Sequence, residues 1–216
     1  MGLIYPGPPK ELVGRLAKAE KLNLFIETGT YYGETASWAA SIFKKVITIE
    51  ASEKIYNQAK DKLASYTNLS HLFGDSAELL NPGIITEPAI FWLDAHYSAG
   101  DTYEKNNPLL TEIETINRSA HNAYILVDDA RLITSRWLNE HYCELKDIIK
   151  LLEVGDRYIV LFEDVLIAVP RKAKPVIDEY TNMMSEKYWH QFLNPQGAVT
   201  KPSNKLFQRI KNKLRK

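Results

Sequence analysis

Cysteine is all but missing from this chain. Cys143 is the single one in 216 residues, which excludes an intrachain disulfide and a thiolate zinc cluster and fits a reducing compartment. A surplus of one charge is missing too. The 27 basic and 27 acidic residues cancel, so no global field draws the chain to nucleic acid or to an acidic membrane. No apolar run approaches the roughly 18 residues of a membrane span. Met1 to Pro9, broken by Pro6, Pro8 and Pro9, has no apolar stretch of signal-peptide length. These absences lead us to expect a cytoplasmic protein with no transmembrane segment and no nucleic-acid partner. What is present is ordinary: 45% hydrophobic and 25% charged residues, in a length that can bury one core without covalent staples.

Along the chain, helical and extended patterns alternate. Leu12, Val13, Leu16 and Ala19 fall at helical spacing within Lys10–Lys21. Asn23–Glu27 is a short apolar run ending in an acid, followed by a helical pattern over Gly33–Phe43. Lys45–Glu50 is a second such run, after which Ser52 reads as the cap of a helix carrying Ile55, Tyr56, Ala59 and Leu63. Leu69–Phe73, Ala89–Leu93 and Tyr124–Val127 read as further strands, and Pro108–Ile116 and Trp137–Leu152 as helices. Tyr158–Phe162 and Val165–Val169 flank Glu163-Asp164, a spacing too short for a parallel crossover, so this pair is antiparallel. Apolar strands without alternation mean a sheet covered on both faces. The expected fold is α/β: a doubly wound, mostly parallel, Rossmann-like seven-stranded sheet with a C-terminal antiparallel strand pair. Residues 1–170 form its domain, with 1–21 as a helical lead-in. Residues 171–216 form a helical extension, with Val176–Trp189 as its helix and a basic tail.

Open α/β sheets bind ligands beyond the carboxyl ends of their strands. Here the strands end at Glu27, Glu50, Asp75, Asp94 and Asp128, and so many acids on one edge call for a ligand rich in donors or positive charge. The first turn, Glu27-Thr28-Gly29-Thr30-Tyr31-Tyr32-Gly33, lacks the dinucleotide fingerprint: tyrosine stands at position 31, where the second glycine would fall. There is no phosphate loop of the Gly-Lys-Ser/Thr type. Glu50, about twenty residues beyond the loop, is placed to grip an adenosine ribose through its hydroxyls, and Asp75 to accept from an adenine amino group.

Phe25 to Thr35, then Thr48-Ile49-Glu50, then Gly74-Asp75-Ser76 resemble the cofactor half of class I S-adenosylmethionine-dependent methyltransferases. The likeness runs from Asn23 to Val169 in its order of elements. It implies that Glu27 and Gly29 surround the methionine part of the cofactor, that Glu50 holds the ribose, and that Asp75 lies at the adenine. Thr28, Thr30, Gly33, Thr35, Ala51, Ser76 and Asp94 flank these positions and complete the expected S-adenosylmethionine contacts.

Phe91 to Tyr97 and Ile125 to Ala130 narrow the resemblance to the divalent-metal O-methyltransferases of the catechol, caffeoyl-CoA and macrocin types. Those carry an acid after the fourth strand and an Asp-Asn or Asp-Asp pair after the fifth. The implied ligands of Mg²⁺ or a similar ion are Asp94, Asp128 and Asp129; an Asp-Asp pair that caps the next helix reads the same way. His96, or Asp94 beside it, would accept the proton of an acceptor hydroxyl, although lysine is the usual base in the catechol and caffeoyl-CoA pattern. The expected activity is methyl transfer to a hydroxyl of a sugar or other small molecule. Its rivals are an NAD-dependent oxidoreductase and a non-catalytic cofactor-binding module in glycan assembly.

The remaining features carry less. His71, His121, His141 and His190 lack metal-ligand spacing, and Cys143 reads as a packing residue in a helix. Tyr31, Tyr32, Tyr97 and Tyr103 could line the mouth of the site, and the polar stretch Ser98–Asn107 could cover it. The tail Lys201–Lys216 sets basic residues around Leu206, Phe207, Ile210 and Leu214. Such a helix can rest weakly on an anionic membrane or in a partner's groove, and a packed terminal helix with a solvated face reads alike. A homodimer is compatible with all of this.

Overall fold

The computed structural model of the chain describes residues 7–95, 107–134 and 143–193. The chain divides into two compact units, Met1–Val176 and Ile177–Lys216. The first unit is built on a seven-stranded sheet. Its strands are β1 (Leu24–Thr28), β2 (Lys45–Glu50), β3 (Leu69–Phe73), β4 (Ala89–Leu93), β5 (Ala123–Val127), β6 (Arg157–Phe162) and β7 (Val165–Pro170). The helices are α1 (Lys10–Glu20), α2 (Glu34–Ala40), α3 (Glu53–Leu63), α4 (Ser76–Leu79), α5 (Leu109–Asn117), α6 (Ala130–Thr134), α7 (Leu145–Leu152) and α8 (Lys174–Leu193). No helix among the described residues is long and apolar enough to cross a membrane.

The strand order is β3-β2-β1-β4-β5-β7-β6. The first five strands in that order pair in parallel, and β7 runs antiparallel to both β5 and β6. The expected seven-stranded, mostly parallel sheet with its closing antiparallel pair is therefore the one formed. The order reverses between β1 and β4, so their carboxyl ends splay around the crevice where open sheets bind ligands. In register, Thr28 stands beside Ile49 and Leu93, and Leu93 beside Val127. The residues after these positions are consequently brought to one edge.

Every residue of β1, β4 and β5 is buried, as apolar runs without alternation require. One face of the sheet sets Leu24, Ile26, Phe91, Leu93, Ile125 and Val127 against Ile113 and Ile116 of α5 and Ile148 and Leu152 of α7. On the other face Phe25 meets Trp38 edge-on at 6.2 Å and Phe43 at 5.2 Å. Each such side chain contributes about 1.5–3 kcal/mol on burial, which anchors the central strands. The outer strands are half open: Phe73 on β3 is 50% exposed and Leu161 on β6 is 55% exposed.

Some local expectations need correction. The helix expected over Trp137–Leu152 begins, in its described part, only at Leu145, and Glu144 before it is extended with ψ 137. Cys143 is therefore not in a helix, although it does pack against the core. The four-residue α4 was not anticipated, because it is too short to reveal a period. His71 on the edge strand packs its ring 4.2 Å from that of Tyr56, and burial lowers its pKa to about 4. In the second unit, α8 carries Trp189 and Phe192 stacked at 5.6 Å.

Candidate active site

The loop after β1 is shaped by three residues in the left-handed region: Gly29 at φ 83, Tyr31 at φ 50 and Gly33 at φ 73. Gly29 has no alternative, since a Cβ there would lie 2.5 Å from the Asp94 carbonyl oxygen; the loop rides directly on the backbone leaving β4. Tyr31 takes the conformation that the dinucleotide fingerprint assigns to glycine, although it has a side chain. What holds it is Glu50, whose Oε2 accepts the Tyr31 N–H at 2.9 Å. Gly33 starts α2 and abuts the Leu63 side chain of α3, at 2.9 Å from a Cβ placed on it. The close approach there is to a neighbouring helix.

Glu27 is fully buried at the end of β1. Its Oε2 accepts the Thr48 hydroxyl at 2.6 Å, the Thr48 and Thr30 hydroxyls lie 2.6 Å apart, and Thr35 also bonds to the carboxyl. Burial nevertheless dominates, and with the charges of Asp94 and Glu50 it lifts the Glu27 pKa to about 8. Glu50 accepts Tyr31 N–H on one oxygen and Ser52 N–H at 2.9 Å on the other. The Ala51 N–H also bonds to this carboxyl. Burial raises its pKa in spite of these bonds. Asp75 caps α4, its Oδ1 accepting the Ala77 N–H at 2.9 Å, and Ser76 behind it is buried. Asp94, whose N–H donates to Thr28 carbonyl oxygen at 3.1 Å, sits at the electrostatic centre. Its charge raises the pKa values of Glu27, Glu50, Glu112 and Asp128.

Glu112 is a member of this group that the sequence reading missed. It lies in the first turn of α5, is 1% exposed, and burial lifts its pKa to about 7. Ser76 hydrogen-bonds to its carboxyl; Thr28 Oγ1 is close enough to lower its proton affinity but makes no hydrogen bond of ordinary geometry. The available signal was its place between Leu109 and Ile113, on the apolar face of the helix.

Beyond β5, Asp128, Asp129 and Asp164 bring one carboxylate oxygen each within 4.8 Å of one another. The expected third member, Asp94, is not in this group: Asp164, from the turn between β6 and β7, takes its place. The three buried acids are of the kind that could hold an ion, but a cation is already among them. Arg131 Nη1 lies 2.7 Å from Asp129 Oδ1 and also contacts Asp164 Oδ2. A divalent ion shared by all three would have to displace the guanidinium from two of them, so this donor set does not fit Mg²⁺ with Arg131 in place. Asp128 uses Oδ1 to accept the Asp129 N–H at 2.7 Å. Its Oδ2 is buried without a hydrogen-bond partner, and burial with the charges of Asp94 and Asp129 raises its pKa well above the usual carboxylate range.

The other expected contributors, His96, Tyr97, Tyr103 and the stretch from Ser98 to 106, lie outside the described residues, as does the basic tail. Tyr31 and Tyr32, both exposed, pack with ring centroids 4.1 Å apart and planes tilted by 48°.

No protein-family model matches the chain and no curated protein sequence does. Solved structures do resemble it. A Staphylococcus aureus protein assigned as a caffeoyl-CoA O-methyltransferase is 17% identical with a TM-score of 0.55, covering 74% of this chain and 81% of its own. The N-methyltransferase NodS of Bradyrhizobium japonicum, solved with S-adenosylhomocysteine, is 16% identical with a TM-score of 0.52, covering 74% and 82%. The O-methyltransferase TomG of Streptomyces achromogenes, solved with S-adenosylmethionine, is 17% identical with a TM-score of 0.51, covering 75% and 80%. At such identities the common property is the fold. This chain has the Rossmann-like fold of class I S-adenosylmethionine-dependent methyltransferases.

Proposed function

We propose that the chain transfers the methyl group of S-adenosylmethionine to a hydroxyl of a small molecule, sugars included. The observation that carries this reading is the meeting of Glu27, Glu50, Asp94 and the Gly29–Gly33 loop where the strand order reverses. An adenosyl amino acid has the matching groups: ribose hydroxyls for Glu50, an ammonium for Glu27, and an adenine amino group for Asp75. Each Glu50 oxygen can accept more than one hydrogen bond, so the bonds to Tyr31 and Ser52 orient the carboxylate and leave capacity for a ribose.

Transfer would proceed by in-line displacement. The acceptor oxygen attacks the methyl carbon, the carbon–sulfur bond breaks with its electron pair going to sulfur, and the hydroxyl proton passes to Asp94 or His96. This chemistry relies on positioning more than on a covalent intermediate. A divalent ion on Asp94, Asp128 and Asp129 would assist by acidifying the hydroxyl, but Arg131 at Asp129 argues against it, and no step here depends on one. Calorimetry with S-adenosylhomocysteine tests the reading. The folded protein should bind it, and Glu50→Ala should weaken binding at least tenfold. A folded protein without affinity for it would sink the proposal. Methyl transfer should also persist after exhaustive chelation; a rate that collapses with chelator and returns with Mg²⁺ would restore the metal.

A further inference from the structure

A pocket between α5 and the ends of β4 and β5 has no part in the cofactor contacts described above. Glu112 and Asp128 line it together with Leu93, Leu109, Val127 and Ile133. Its interior core is about 10 Å³, room for one water-sized group. Both carboxyls are more than nine-tenths buried, at 1% and 5% exposure, and each keeps one oxygen without a hydrogen-bond partner: Glu112 Oε1 and Asp128 Oδ2. Of the polar groups nearby, Ser76 already bonds to the Glu112 carboxyl, and the Thr28 hydroxyl stands close to it without a hydrogen bond of ordinary geometry. Asn107 Oδ1, also in the lining, accepts the Leu109 N–H at 3.0 Å, and Asp128 Oδ1 accepts that of Asp129. Buried acceptors are ordinarily satisfied, so two open ones in a single pocket mark a place for a donor.

The walls say which donor fits. Mg²⁺ needs six oxygen ligands and keeps several of its waters; four aliphatic side chains and room for one small group cannot supply them. An ammonium group brings three N–H donors and a positive charge in about the volume of a water, and the carbon that bears it suits the aliphatic lining. We propose that this pocket binds the ammonium group of the methyl acceptor. The substrate class is then the amino alcohols, amino sugars among them, anchored through nitrogen by Glu112 and Asp128 while a hydroxyl receives the methyl group. The identity of the ligand as an acceptor rests on the methyl-transfer reading; the pocket's preference for an ammonium does not.

The test is a methyl-resolved NMR titration of the full chain saturated with S-adenosylhomocysteine, using propylammonium chloride as probe. Tetramethylammonium chloride has the same charge without N–H donors, and 1-propanol a similar chain without charge. The methyl signals of Leu109, Val127 and Ile133 should move saturably with propylammonium, and at least tenfold more weakly with either control. Glu112→Gln, close to isosteric, should weaken the response at least tenfold in a protein that still unfolds cooperatively. No saturable shift, equal shifts with the controls, which would mean an ordered water only, or an unchanged response in Glu112→Gln each overturns the pocket. If the free protein responds to propylammonium but never binds S-adenosylhomocysteine, the ammonium site stands and its assignment to a methyl acceptor falls.

Discussion

At Glu27 burial and hydrogen bonding pull in opposite directions, and burial wins: with a pKa near 8 the carboxyl is mostly protonated at neutral pH in the free protein. A ligand ammonium at this position would favour the carboxylate and expel that proton. Binding of S-adenosylhomocysteine near pH 6.5 should therefore release up to one proton, falling away above about pH 9. Calorimetry in buffers of different ionisation enthalpy measures the number. Glu27→Gln should abolish the release; a wild-type value of zero at pH 6.5 would mean that Glu27 does not meet the ligand as a carboxylate. Gly29 supports a second prediction. Its φ of 83 and the 2.5 Å approach of a Cβ to the Asp94 carbonyl oxygen leave an alanine both strained and obstructed by backbone. Gly29→Ala should cost more than about 2 kcal/mol in urea unfolding and weaken the cofactor analogue together with stability.

Among the elements, α6 and the β6–β7 hairpin depend on each other. The first turn of the helix is held from outside: the Ala130 N–H donates to the Asp164 carbonyl oxygen at 2.9 Å, and the Arg131 N–H to Asp164 Oδ1 at 3.0 Å. The hairpin turn, with Glu163 at φ 56, thus caps the first turn of α6 from outside the helix. Asp164→Ala removes the side-chain cap and one partner of Arg131. The expected loss is about 2–4 kcal/mol, with faster hydrogen exchange at the Arg131 amide than in β5; unchanged exchange there would refute the coupling. Arg131→Ala should do the converse for metals. With the guanidinium gone, the oxygens of Asp129 and Asp164 that it occupied are open to an ion beside Asp128, and Mn²⁺ affinity measured by electron paramagnetic resonance should rise at least tenfold over wild type.

Across the whole molecule, the strand ends gather more carboxyls than positive charges to balance them. Glu27, Glu50, Glu112 and Asp128 all have native pKa values above their ordinary ones, chiefly through burial. For groups of this kind the native state binds more protons than the unfolded state between the two pKa values. Their contribution is fully present below the unfolded pKa near 4, and is lost as pH rises through the native values. The ligand-free protein should therefore melt highest near about pH 5 and lower by about pH 8.5. Saturating S-adenosylhomocysteine should reduce that slope, because it favours the charged form of Glu27. A ligand-free melting temperature that climbs over this interval would contradict the burial of these acids in solution.

Much of this protein is set by local sequence. Strands without alternation, such as Ala89–Leu93 and Tyr124–Val127, can only be buried on both faces, so the covered sheet and its order of elements were legible before any coordinates. So were acids at strand ends such as Asp94 and Asp128, because each follows directly on an apolar run. Position 31 could not be read in this way: a tyrosine there argues against a left-handed turn until Glu50, nineteen residues away, is found holding its N–H. Glu112, Asp164 and Arg131 were missed for a related reason. Their roles depend on which way α5 is rotated and on β7, rather than β6, lying beside β5. Local pattern specifies which residues seek burial. Only packing decides which buried charges become neighbours, since that depends on contacts made far apart in the chain.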